Sequence, residues 1–429
     1  MKLNKGATTL VLMMILTIIT QIISLYKSML MAKYFGTTIE VGAFNFVNNI
    51  SVFIFGMVGA AIATVVIPSL VRKDYKAISI FLNYLYLFCV ISSLVIILFK
   101  YAILKLISGI SDVKFINFAA DILPIILLSN LVLSLSSFMV AVFQVNNGFN
   151  YPKIIVLLIN LGLVICLLYF PKMSVAQFAA ISSTANITNL LLLFIDKKHS
   201  IFAYSFSFDH RNKEFREMTI NVLPIFVANG AYQISLLVDI GLSSRISLHN
   251  ITILSYSTQI AGMLSTLFVA NLMSYIYPKV VQMINRNYNN QDLSTYFRKL
   301  SCFLFSTMFL VALCFLFFGN WVINLLFVHG QFSASDGVSL YWCLLILVFS
   351  LPFNAVRDLA YRVFYAYKNT KEPFYSSVVS TLSNIIFSIL FASLWGLNGI
   401  VLGSLVGAII STLCILWRLN KKQEIIIWG

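Results

Sequence analysis

Residues 143–152 read FQVNNGFNYP, and residues 364–373 read FYAYKNTKEP. Each stretch runs from a phenylalanine to a proline over the same spacing, and each follows a long apolar segment of the chain. A pattern that returns after about half the chain indicates internal duplication. The sequence therefore predicts two lobes with the same order of helices, related by a pseudo-twofold axis along the membrane normal.

The composition predicts a polytopic membrane protein. Hydrophobic residues make up 60% of the chain and charged residues only 10%, which leaves too few polar side chains to cover a water-soluble protein of 429 residues. Long apolar runs without period-two alternation favour helices that satisfy their own backbone groups in lipid. We draw twelve such segments at 7–32, 41–67, 77–99, 122–145, 154–170, 175–195, 219–242, 248–277, 300–328, 337–362, 374–394 and 396–418.

The charge distribution predicts the orientation of these helices. Most of the 29 lysines and arginines fall in the termini and in every second loop, so these parts are expected in the cytoplasm. Both chain ends would then be cytoplasmic, in agreement with an even number of spans. The net charge of +15 is spread over many loops, which argues against a nucleic-acid partner.

Residues that usually carry metal or enzymatic chemistry are not grouped in this chain. The four histidines lie in or beside predicted loops, so neither a metal site nor a bound cofactor is expected. All six cysteines fall within predicted helices, without metal-ligand spacing, and are expected to be small core residues. They are Cys89, Cys166, Cys302, Cys314, Cys343 and Cys414.

The longest predicted cytoplasmic connection divides the chain into two sets of six helices. We place a first lobe at 1–200, a linker at 201–217 and a second lobe at 218–429. Polar residues of the first helix recur at equal spacing in the seventh helix. The matched residues are Gln21, Lys27 and Lys33 with Gln233, Asp239 and Arg245.

Several motifs resemble the MurJ/MviN family of lipid II flippases. They are LMAKYFG at 30–36 with Ala43 and Phe44, the end of the second helix at 60–68, LFVHGQFSASD at 326–336 and RVFYAYKNTKEP at 362–373. The resemblance implies the multidrug/oligosaccharidyl-lipid/polysaccharide exporter fold, with a V-shaped central cavity in the bacterial cytoplasmic membrane. It also implies transport of a polyprenyl-pyrophosphate-linked saccharide to the outer leaflet, and enzymes of cell-envelope glycan synthesis as partners. This chain resembles a short member without two additional C-terminal helices.

Lys27 is the first candidate for contact with an anionic headgroup. It lies deep in the first helix, where an ammonium costs about 3 kcal/mol unless it snorkels or faces a hydrated cavity. Lys33 lies nearer the helix end and is either a second contact or an interfacial anchor. Gln21 and Gln259 stand where the resemblance implies arginines, so they either bind sugar hydroxyls or bridge helices.

Asp239 is the candidate for ion coupling, because a buried carboxylate in a membrane helix needs a proton, a partner or a cation. Asn384, Ser388 and Ser404 lie in the last two helices and can supply further oxygens for Na⁺ or H⁺ coupling, although packing is the alternative role. Arg357 and Arg362 are expected near the cytoplasmic end of helix ten. They are predicted to guard the cavity or to pair locally with Asp358.

The sequence leaves a second class of transporter open. A multidrug antiporter for organic cations shares the architecture that the resemblance implies, and an apolar, aromatic cavity would favour it. An integral glycan polymerase would usually need long external loops with catalytic residues, which the predicted topology does not provide. We therefore expect a transporter without enzymatic activity.

Overall fold

The computed structural model describes residues 5–423, except positions 111, 147, 271, 272, 274, 275, 277–279, 281, 282, 285–289 and 368. The described chain confirms the predicted all-α class. The helices are α1 (Lys5–Phe35), α2 (Ile39–Ala61), α3 (Ile67–Arg72), α4 (Tyr75–Leu98), α5 (Lys100–Ser108), α6 (Val113–Val145), α7 (Asn150–Tyr169), α8 (Val175–Leu193), α9 (Lys213–Ile246), α10 (Leu248–Ser265), α11 (Asn290–Phe327), α12 (Ala334–Ala366) and α13 (Lys371–Gln423). Two π-helical turns, Ile62–Val66 and Thr266–Ala270, follow α2 and α10.

Nine helices among the described residues are long and apolar enough to cross a membrane. One of them, α13, bends at Gly396, where φ is +57°. This left-handed backbone favours glycine, and the bend separates the predicted segments 374–394 and 396–418. The predicted segments 175–195 and 219–242 coincide with α8 and α9, which are helical but do not belong to the nine.

Local sequence signals explain several helix ends. Ser333 accepts a hydrogen bond from the backbone N–H of Asp336 at 3.2 Å, and the Asp336 carboxylate accepts one from the Ser333 backbone N–H at 3.0 Å. This reciprocal pair is a capping box, and it begins α12. Helix α5 was not predicted, because its nine residues are too short to form a span. Gly109, with φ at +66°, ends it.

Two cysteines depart from the expected core position. Cys89 and Cys343 are buried as predicted, but Cys302 and Cys314 are exposed on α11. The exposed surface of a membrane-spanning helix can contact hydrocarbon, and a weakly polar thiol is compatible with a hydrocarbon environment. The prediction of a core role is therefore wrong for Cys302 and Cys314.

The chain forms two compact units, Met1–Gln233 and Ile234–Gly429, and the division falls inside α9. In the first unit, α1 packs on α7, and α6 packs on both α2 and α8. The segment before α9 has no regular secondary structure and packs along α4. There Asn83 donates to the carbonyl of Ser207 at 2.8 Å, and Tyr84 donates to that of Phe208 at 3.0 Å.

The second unit is organised around α12. This helix packs against α10, α11 and α13. Its central residues are largely buried, including Val348, Ala355 and Leu359. The two parts of α13 pack closely on each other, because the backbone of Gly403 lies directly against that of Ser388. Such close approach of two membrane helices requires small residues at the contact.

Candidate functional site

The contact between α1 and α7 contains the lysine that the sequence singles out. The half-buried Lys27 donates from Nζ to Oδ1 of Asn160 at 3.0 Å. Asn160 in turn donates from Nδ2 to the backbone carbonyl of Val156 at 2.9 Å. This second bond directs the amide oxygen toward the ammonium. Neither α1 nor α7 contains an aspartate or glutamate, so these helices supply only neutral oxygens to Lys27.

A second lysine occupies the same helix contact and was missed in the sequence. Lys153 donates from Nζ to Oγ1 of Thr17 at 2.7 Å and to the backbone carbonyl of Met13 at 3.2 Å. It is half-buried and lies in the first turn of α7. The signal that could have identified it is its position directly after Pro152 of the repeated stretch.

The other predicted headgroup contacts, Gln21, Lys33 and Gln259, lie on α1 and α10. Gln21 is half-buried on α1, whereas Lys33 is exposed near the end of α1, with Nζ 5.7 Å from the centre of the Tyr34 ring. Gln259 is half-buried on α10 of the second unit. Their assignment to substrate binding stays a prediction.

The predicted ion-coupling residues come together in the second unit. Asp239 of α9 accepts hydrogen bonds at Oδ2 from Asn384 Nδ2 and from Ser404 Oγ, both at 3.4 Å. Asn384 also donates to Ser404 at 2.8 Å. The fourth residue, Ser388, donates from Oγ to the backbone carbonyl of Ile400 at 3.0 Å.

Two oxygens of this cluster have unused hydrogen-bonding capacity. Asp239 is 6% exposed and Asn384 is 8% exposed, yet Oδ1 of each has no hydrogen-bond partner among the described residues. A buried acceptor without a partner is costly. Carboxylate and amide oxygens together are also ligands that hard cations prefer. The arrangement can therefore bind a small cation or hold a proton.

Arg357 belongs to a third polar group, between α12 and α13. Its Nη1 donates to Ser411 Oγ at 3.3 Å, and its Nη2 lies 3.8 Å from Oδ1 of the adjacent Asp358. Ser376 donates to the carbonyl of Ser411 at 2.9 Å. Arg362 is half-buried one turn further along α12. These contacts hold Arg357 within the second unit, and its predicted role at the cavity mouth is untested.

These features define a class of protein. Nine candidate membrane spans, a buried polar cluster in the second unit and a lysine contact in the first are typical of a polytopic transporter. Among the described residues, no group of three or more histidine, cysteine, aspartate or glutamate side chains could hold a metal ion.

Comparison with known proteins gives the particular family. The family model described as "Lipid II flippase MurJ" matches residues 31–429, so the chain belongs to the MurJ family. A probable lipid II flippase MurJ from Borreliella burgdorferi is 22% identical over 98% of this chain and 84% of its own length.

Solved structures show the same fold. The inward closed conformation of a lipid II flippase MurJ superposes with a TM-score of 0.80 and 24% identity, over 96% of this chain and 87% of that one. An inward-facing multidrug resistance transporter of the MATE family, within the MOP superfamily, gives a TM-score of 0.65 at 13% identity, over 96% of this chain and 94% of that one. Both similarities concern the fold.

Proposed function

We propose that this protein moves a polyprenyl-pyrophosphate-linked saccharide from the inner to the outer leaflet of the bacterial cytoplasmic membrane. Transport would proceed by alternating access, without covalent chemistry by the protein. The observation that carries the proposal, beside family membership, is the half-buried Lys27 ammonium, which is held by the neutral amide of Asn160.

The chemistry of this contact suits an anionic headgroup. A lysine in a membrane helix is costly, and a carboxylate neighbour would normally neutralise it. Here α1 and α7 supply an amide instead, so no carboxylate of these two helices competes with a phosphate for Lys27. A pyrophosphate offers several acceptor oxygens to the remaining ammonium protons. Asn160 would orient Lys27 while the phosphate binds.

Two kinds of lipid-linked glycan fit the proposed headgroup contact. Lipid II is the substrate in the family's description, and another cell-envelope glycan precursor fits the same headgroup chemistry. Gln21 and Gln259 offer neutral amides that can bind sugar hydroxyls. Lys33, Arg357 and Arg362 are further candidates for phosphate contact. Enzymes that synthesise the lipid-linked glycan are the expected partners.

We also propose that Asp239 couples transport to Na⁺ or H⁺. The support is the pair of buried oxygens without a hydrogen-bond partner, Asp239 Oδ1 and Asn384 Oδ1, beside the Ser404 hydroxyl. Na⁺ binding would fill this coordination, and a proton on the carboxylate would remove its charge. Coupling to Na⁺ predicts that transport depends on the Na⁺ concentration, whereas coupling to H⁺ predicts that it depends on pH.

The orientation that we propose places both chain ends in the cytoplasm. It rests on the excess of lysine and arginine in the termini and alternate loops. Cysteine labelling at each end of intact cells tests this topology independently of transport.

Export of organic cations is a second candidate function. The favouring observations are the structural similarity to a MATE transporter and the presence of a buried carboxylate, Asp239. A carboxylate can bind a cationic drug as well as an ion. The half-buried Lys27 argues against this function, because a fixed positive charge repels such a substrate.

Reconstitution in lipid vesicles tests the proposed function. Labelled polyprenyl-pyrophosphate saccharide on the inner leaflet should become accessible to a membrane-impermeant reagent added outside. Wild-type protein should accelerate this exposure over protein-free vesicles, and Lys27→Ala should slow it. Lys100→Ala is the matched control, because Lys100 of α5 likewise donates to a neutral oxygen of another helix, the backbone carbonyl of Ala120 at 3.2 Å. Transport of ethidium without transport of the lipid would favour the second candidate.

A further inference from the structure

We infer that Lys153 is a second headgroup-binding residue, placed where α7 begins, and that it acts in sequence with Lys27 along the α1–α7 contact. The inference rests on the proposed function, since it assigns a route to the same anionic substrate. Lys153 would receive the pyrophosphate near the cytoplasmic leaflet and pass it toward Lys27.

The geometry leaves part of the Lys153 ammonium available. Its described partners are Thr17 Oγ1 at 2.7 Å and the Met13 carbonyl at 3.2 Å. Thr17 Oγ1 also donates to the same carbonyl at 2.7 Å, which fixes the hydroxyl orientation. An ammonium carries three protons, and these two partners use two of them. The third is available to a phosphate oxygen.

The two lysines lie on one continuous contact. On α7, Lys153 meets residues 13 and 17 of α1, whereas Asn160 meets residue 27, so the two helices run parallel. Seven residues of α7 separate Lys153 from Asn160, a rise of about 10 Å, and ten residues of α1 separate Thr17 from Lys27, a rise of about 15 Å. The two ammonium groups are therefore separated by roughly 10–15 Å along the contact. A headgroup that carries a pyrophosphate and sugars can move from one cation to the next over this distance.

The charge environment is difficult to explain by stability alone. Lys153 lies in the first turn of α7, where the exposed N–H groups of the helix already create a positive potential. Helices α1, α7 and α8 contain no aspartate or glutamate that could compensate it. A positive charge, a positive helix end and no acidic partner on the neighbouring helices together favour an anionic ligand.

The test compares Lys153→Gln with Lys153→Arg and with the control Lys100→Gln. Lys100 is a close match, because it also lies in the first turn of a helix and donates to a backbone carbonyl. Vesicle transport would be measured as a function of lipid concentration for two probes, a polyprenyl-pyrophosphate saccharide and a polyprenyl-monophosphate with the same sugar. Equilibrium binding of both probes would be measured in detergent at low and high salt.

We expect Lys153→Gln to raise the half-saturating concentration of the pyrophosphate lipid about fivefold, as removal of one partly exposed charge contact predicts. In Lys153→Gln, discrimination between the two probes should fall and the salt dependence of binding should weaken. Lys153→Arg keeps the positive charge, so its discrimination and salt dependence should match those of the wild type. Unchanged discrimination and salt dependence in Lys153→Gln would overturn the inference. So would an equal loss for both probes together with a lower melting temperature, which indicates a structural role. Failure of the wild-type protein to move either lipid would instead refute the proposed function.

Discussion

The two units carry opposite charges on corresponding helix pairs. In the first unit, Lys27 of α1 binds the amide of Asn160 on α7. In the second unit, Asp239 of α9 binds the amide of Asn384 on α13. An asparagine can serve both because its oxygen accepts from an ammonium and its nitrogen donates to a carboxylate. The repeated fold thus supplies the position, and the charged residue selects an anionic or a cationic ligand.

Two glycines near these side chains differ in the space around them. A Cβ on Gly403 of α13 would meet the backbone of Ser388, whereas a Cβ on Gly162 of α7 would meet nothing within 4 Å. The close contact places Ser404 beside Asn384. Cation coordination requires fixed oxygens at short distances, whereas a flexible lysine can adapt to a large headgroup. The close backbone contact at Gly403 therefore lies beside the cluster that we propose to bind the smaller ligand.

Loss of the carboxylate should have the largest effect. Asp239→Asn removes the charge that would hold Na⁺ or H⁺. We expect the ion-stimulated transport rate to fall about 100-fold, because loss of a direct ligand should cost at least as much as loss of a residue that only supports a ligand. The measurement is lipid exposure in vesicles over a series of Na⁺ concentrations and pH values.

Asp121→Asn is the control for this change, because Asp121 is an exposed carboxylate on α6. It should leave the ion dependence intact. Wild-type ion stimulation in Asp239→Asn would show that the cluster of the second unit has no role in coupling.

The different surroundings of Gly403 and Gly162 predict different effects of substitution on stability. Gly403→Ala should lower the free energy of unfolding by about 2 kcal/mol, because the added methyl group forces α13 apart at Ser388. Gly162→Ala has open space and should leave stability unchanged or slightly improved. Thermal unfolding in detergent compares the two variants. Equal destabilisation would contradict the difference in packing between Gly403 and Gly162.

Removal of the first unit's charge should weaken substrate binding. Lys27→Gln keeps a polar side chain but loses the ammonium, and we expect the half-saturating lipid concentration to rise about tenfold. The response to Na⁺ and pH should persist, since Asp239 is unchanged. A variant with normal lipid saturation would exclude Lys27 as the headgroup contact.

The amide partner should contribute least. Asn160→Ala removes the oxygen that orients Lys27 but keeps the positive charge, so we expect about a threefold loss of lipid affinity. Combined with Lys27→Gln, it should add little, because the two residues act through one contact. Additive losses measured in a double-mutant cycle would show that Asn160 works independently of Lys27.

Much of this comparison could be predicted from the sequence. Apolar runs located the spans, and a polar residue such as Asp239 is conspicuous within one. Lys153 was missed because the apolar segment was drawn from residue 154, so the lysine was counted as part of a loop. The packing of Asn83 and Tyr84 against the linker was also not predictable, because it depends on backbone carbonyls that have no sequence signature.

The division of ligands between the units is tested most directly by equilibrium binding of both ligands to the same protein preparations. Pyrophosphate-lipid affinity and Na⁺ affinity would be measured for the wild type, Lys27→Gln and Asp239→Asn. Lys27→Gln should weaken lipid binding and preserve Na⁺ binding, and Asp239→Asn should do the reverse. If both substitutions weakened the same ligand and spared the other, the proposed division would be wrong.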